Sequence, residues 1–97
     1  MTIQKKKDGN RVELILDGWM DTLGAPILAS ELDALESDVE YLTLDMTGLE
    51  YCSSAGIRQI VAAHKRMKGA LTLRNVNERI KTLLRMAGLA AHMNFEP

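Results

Sequence analysis

A mixed α/β fold, with helices packed on a partly parallel sheet, is what this sequence predicts, and three observations carry the prediction. Tyr41-Leu42-Thr43-Leu44-Asp45-Met46 alternates with period two, which places Leu42, Leu44 and Met46 on one face of a strand. Ile57, Ile60, Val61, His64 and Met67 then recur at helical spacing, opposite a polar face of Arg58, Gln59, Lys65, Arg66 and Lys68. Strand-like runs separated by helical runs of roughly ten to fifteen residues need crossover connections, so part of the sheet is parallel.

The elements follow in order. Residues 3–7 and 11–16 read as two strands joined by a hairpin turn at Asp8-Gly9-Asn10, with Val12, Leu14 and Leu16 on one face and Asp17-Gly18 ending the pair. This antiparallel opening makes the sheet mixed. Lys5-Lys6-Lys7 falls on the first strand, where a lysine-rich edge discourages strand-to-strand association. Pro26 suits the first turn of a helix that Leu28, Leu32 and Leu35 continue until Ser37-Asp38. The central strand stops at Thr47-Gly48, and Ser53 or Ser54 caps the second helix. Beyond Gly69, Leu71 and Leu73 form a short strand, and Asn77 caps a last helix whose expected buried stripe is Ile80, Leu83, Leu84 and Ala87. Gly88 stands where a left-handed helix terminator belongs, and residues 93–95 form a final short strand.

Size and charge exclude several functions. Ninety-seven residues suit one domain over residues 1–97, without room for a second module. Twelve basic and thirteen acidic residues leave a formal charge of −1, against the basic footprint of a nucleic-acid binder. No run approaches the ~20 apolar residues needed to span a bilayer, and no early apolar stretch resembles a signal peptide, so a cytoplasmic protein without membrane insertion is expected. The single Cys52 allows neither an internal disulfide nor a structural zinc site, and a reducing compartment fits it.

Catalysis finds no support. His64 lies ten residues beyond Ser54 on the same helix, roughly 15 Å by axial rise, too far to take its proton. His92 sits in an irregular tail, and Cys52 reads as a small buried hydrophobe. Asp17, Asp21, Asp45 and Glu50 match no metal-binding spacing, and the seven glycines are scattered at turns rather than gathered in a phosphate loop. No enzyme, cofactor or metal is expected.

What remains is the junction Tyr51-Cys52-Ser53-Ser54-Ala55-Gly56-Ile57-Arg58, where strand gives way to helix and one of two hydroxyls is left over after capping. The stretch from Leu44 to Arg58, with Asp45, Thr47-Gly48 and then Ser53-Ser54-Ala55-Gly56-Ile57, resembles the central motif of the STAS family, the bacterial anti-sigma factor antagonists and their relatives. The Gly18-Trp19-Met20-Asp21 segment is similar to the family's Gly-Glu-Leu-Asp loop, and the likeness runs in outline through the tail to Gly88-Leu89, so it covers nearly the whole chain, although only the central motif is specific.

The resemblance implies a four- or five-stranded mixed sheet with helices on one face. It also implies a protein that is acted upon: an antagonist that binds an anti-sigma factor serine kinase and is released when a serine of this motif is phosphorylated. Matched to the motif, Ser54 is the acceptor and Ser53 the second candidate. Ser53 stands where many members have aspartate, and Ala55 replaces a frequent second serine. Asp21, Asp45, Thr47, Ser53, Ser54, Ala55, Gly56 and Arg58 are the expected partner-binding residues, with Arg58 on the face of Ser54, one turn on. A monomer or weak dimer is expected. The alternative is a non-switching STAS subunit that binds a transporter ATPase or another partner structurally. Trp19-Met20 departs from the family's usual charged and aliphatic pair; a lone tryptophan here is expected to plug the core, with an exposed interface anchor as the other reading.

Overall fold

The computed structural model describes all 97 residues. Five strands form one sheet in the order β1-β2-β3-β4-β5, with β1 (Thr2–Asp8) antiparallel to β2 (Arg11–Met20) and all other pairs parallel. β3 spans Tyr41–Cys52, β4 Leu71–Arg74 and β5 Asn94–Glu96. Three helices, α1 (Ala25–Asp33), α2 (Ser54–Arg66) and α3 (Glu78–Met86), supply the connections after β2, β3 and β4.

All helices cover one face of the sheet. Val12, Leu14 and Leu16 of β2, Leu42, Leu44 and Met46 of β3, and Leu71 and Leu73 of β4 join Leu28, Leu32, Ile60, Ala63, Ile80 and Leu84 from the helices in one core. Alternate residues point to the opposite, open face, where Arg74 pairs with Glu13 and Glu96 and Arg11 lies over the Tyr41 ring. Lysine marks the edge strand: Lys5 and Lys7 reach Glu36 and Asp38 behind α1.

Two strands run further than the hydrophobic alternation indicates. β2 leaves β1 at Asp17 but continues beside β3 to Met20. β3 runs through Thr47-Gly48 because its register against β2 shifts twice, once between the pairs Ile15–Asp45 and Asp17–Gly48 and once between Gly18–Leu49 and Trp19–Tyr51. Each shift adds one residue to β3, so its buried positions become Met46, Leu49 and Cys52, three apart instead of two. This bulged extension carries the chain to the rim where α2 begins.

Helix ends follow local chemistry. The Asn77 side chain accepts the Ile80 N–H at 2.9 Å, and α3 closes on Gly88 at φ +73°, with Leu89 N–H bonded to Leu84 O and Gly88 N–H to Arg85 O. α1 ends at Asp33, earlier than the spacing predicts, yet Leu35 stays buried beyond it. The buried line of α2 is Gly56, Ile60, Ala63 and Met67; Ile57, Val61 and His64, expected in that stripe, lie at its margin.

Candidate functional site

The last residues of β2 and β3, Met20 and Cys52, pair side by side, and α2 starts immediately above them. Ser53 is the N-cap, in extended backbone (φ −86°, ψ 176°). Its hydroxyl accepts the Gly56 N–H at 3.4 Å and donates to the Met20 carbonyl at 3.1 Å, while its own N–H reaches the same carbonyl at 2.9 Å. Both hydrogen-bonding roles of the Ser53 hydroxyl are therefore spent inside the fold. Ser54, the first residue of α2, is exposed, and its hydroxyl bonds to no other group of the protein. The two serines thus divide the work of capping and exposure. Ser53→Ala is expected to destabilise the domain by about 0.5–2 kcal/mol, the range for a lost cap. Ser54→Ala should stay within about 0.5 kcal/mol of the wild type, and urea denaturation distinguishes the two.

Ser54 borders a groove of about 500 Å³ between α2 and α3, lined by Tyr51, Ser53, Ile57, Arg58, Leu83 and Ala87. Leu83 and Ala87 belong to the stripe expected to be buried, but only Ile80 and Leu84 of that stripe enter the core; Leu83 is 39% exposed. The physical reason is width: α3 packs through a narrow line, and the row beside it faces the groove. Trp19 is 56% exposed, which corrects the expectation of a core plug. It stands at the end of β2 opposite Tyr51, with ring centroids 5.4 Å apart, and its indole N–H donates to Glu50 at 3.1 Å. Sequence reading missed Tyr51, Leu83 and Ala87 as site residues. The four-residue spacing of Leu83 and Ala87 was the available signal, but periodicity alone does not tell a groove wall from a core stripe.

The expected partner-binding residues fall in two places. Ala55 and Gly56 share the first turn of α2 with Ser54, Gly56 facing the core, and Arg58 lies one turn on. Asp21 begins the loop that leaves β2 beside Ser53, and Thr22 from that loop joins Ala55, Arg58 and Gln59 around a second hollow of about 300 Å³ between α1 and α2. The Asp21 carboxylate accepts the N–H groups of Gly24 (2.8 Å) and Leu23 (3.0 Å), which hold its pKa below the ordinary value. Asp45 and Thr47 lie apart, seven and five residues back along β3 from Cys52. They form a cluster of their own: Asp45 accepts the Thr47 N–H (3.0 Å) and hydroxyl (2.6 Å), and Asn75 donates to that hydroxyl at 2.7 Å.

Burial alone raises the Asp45 pKa; the Thr47 hydrogen bonds, with Asn75 and Arg74 nearby, outweigh it and leave the pKa lowered from 3.8. A lowered folded-state pKa stabilises the fold above the unfolded value, and that contribution is lost as pH falls through the folded one. Thermal midpoints taken from pH 5 to pH 2 should therefore fall, and less steeply in Asp45→Asn.

The nucleophile readings find no geometry. His64 Nε2 lies 3.1 Å from the His92 carbonyl oxygen, at the far end of α2 from Ser54. Burial pushes the Cys52 thiol up to about 11, which keeps it protonated at neutral pH. No group of three or more His, Cys, Asp and Glu side chains converges, and no helix is long and apolar enough to cross a membrane.

Comparison with known proteins places this geometry. The family model for the STAS domain matches residues 2–97. The chain belongs to the STAS domain family. Among curated relatives it is 27% identical over 92 residues to an anti-sigma-B factor antagonist of Bacillus subtilis (strain 168), covering 92% of this chain and 84% of that one. The STAS fold also matches solved structures. A putative anti-sigma factor antagonist from Thermotoga maritima superposes with a TM-score of 0.87 at 16% identity, over 98% of this chain and 86% of the other. The Bacillus cell fate determinant SpoIIAA in its phosphorylated form gives 0.76 at 14% identity, over 97% and 90%.

Proposed function

We propose that this STAS domain is an anti-sigma factor antagonist that binds an anti-sigma factor serine kinase through the surface around Ser54 and is released when the kinase phosphorylates that residue. The observation that carries the reading is the division of labour between the serines. Ser53 is consumed as a cap, whereas Ser54 stands free at the first turn of a helix. The name of the Bacillus subtilis relative and the existence of a phosphorylated SpoIIAA structure support it.

The switch follows from charge. A phosphate on Ser54 adds roughly −1.5 to −2 charge at a helix N-terminus, which favours anions by only ~0.3–1 kcal/mol. The domain tolerates that charge; a partner packed closely over the same spot does not. Mixing purified chain and kinase tests this directly. A complex should form without ATP and dissociate when ATP is added, and the Ser54→Ala complex should persist in ATP. Equal release of wild type and Ser54→Ala by ATP contradicts the reading.

A further inference from the structure

From the groove between α2 and α3 we infer the chemistry of the partner segment: an amphipathic helix of the kinase that seats apolar side chains between Ile57, Leu83 and Ala87 and sets a carboxylate against Arg58. The inference rests on the proposed kinase partnership and goes beyond it by naming what is recognised. Apolar side chains form the walls: Tyr51 of β3, Ile57 on α2, Leu83 on α3 and Ala87, which caps α3. Arg58 is the only charged side chain lining the groove, and it makes no ion pair or hydrogen bond within the domain. A single exposed cation with no partner in the domain, beside an apolar trough, selects an apolar segment bearing one acidic group, and a helix is the regular element that presents both along one face.

The same arrangement links recognition to release. Arg58 follows Ser54 by four residues on α2, so the two side chains share a face. A phosphate on Ser54 can take Arg58 as its counter-charge. The partner's carboxylate then loses its cation and meets a dianion at the same moment. Arg58 thus serves the partner before phosphorylation and the phosphate after it.

Affinity for the purified kinase, measured by titration calorimetry for the wild type, Leu83→Glu, Arg58→Glu, Arg58→Lys and Ser54→Asp, tests the inference. Far-UV circular dichroism first establishes that each variant is folded. Leu83→Glu and Arg58→Glu should each bind at least tenfold more weakly, Arg58→Lys should keep most of the affinity, and amide exchange should slow in residues 83–87 within the complex. Wild-type affinity of Leu83→Glu, with unchanged exchange in residues 83–87 and binding still lost in Ser54→Asp, overturns the groove while leaving the Ser54 switch intact. Wild-type affinity of Arg58→Glu overturns the acidic occupant, whatever Leu83→Glu does. If Ser54→Asp binds normally and Leu83→Glu does not, the groove stands and the phosphorylation switch falls.

Discussion

Ser54→Asp is expected to weaken the complex with the anti-sigma kinase by roughly 2–5 kcal/mol, the penalty for leaving a charge unpaired at an interface, here the partner's carboxylate once the new one takes Arg58. At ~1.4 kcal/mol per tenfold, that is about 30-fold to several-thousand-fold in Kd. The free domain should gain rather than lose, by ~0.3–1 kcal/mol, because the new carboxylate sits on the first turn of α2. This opposition distinguishes a binding switch from a folding defect. Lost affinity accompanied by a lower thermal midpoint points to damage; lost affinity with an unchanged or raised midpoint points to the switch.

The second large effect belongs to Gly56. An added Cβ there meets Cys52 Sγ at 2.7 Å and Met20 Cγ and O at 2.9 Å, and the carbonyl among these is fixed by the pairing of β2 with β3. Only glycine lets the first turn of α2 approach the two strand ends so closely. Gly56→Val is expected to destabilise the domain by ~3 kcal/mol, the upper end of the range for overpacking. For a domain of this size, that lowers the thermal midpoint by roughly 12–24 °C. In urea the midpoint concentration should fall with little change in slope. The same displacement lifts Ser54 from its place, so partner binding should weaken even where the variant remains folded.

Much of this architecture was legible because local rules and packing agree. Leu42, Leu44 and Met46 alternate and are buried together, Asn77 caps α3, and Gly88 terminates it, as the residues themselves indicate. The continuation of β3 was hidden for a physical reason. Two register shifts change the interval of its buried residues from two to three, erasing the strand signature from Thr47 to Cys52. Helix faces were read less sharply than helices. In α2 the small Gly56 and Ala63 face the core, where close approach to the sheet rewards small side chains, and the larger Ile57 and His64 turn aside. In α3 the outer row of the apolar stripe builds the groove instead. The capping serine was equally hidden, since Ser53 and Ser54 both suit the position; the Met20 carbonyl, which binds Ser53 twice, decides between them, and it is 33 residues away in the chain. Trp19 faces outward by simple alternation, because β2 runs on to Met20 and Trp19 falls on the face opposite Val12, Leu14, Leu16 and Met20, with its ring over Tyr51.

Ser54, left free by the capping role of Ser53, is the residue the kinase is expected to modify. Peptide mapping by mass spectrometry after reaction of the purified chain with its kinase and ATP tests it most directly. Phosphate on Ser54, absent from Ser54→Ala and retained in Ser53→Ala, is the predicted result. Phosphate found only on Ser53 or Thr47 contradicts it.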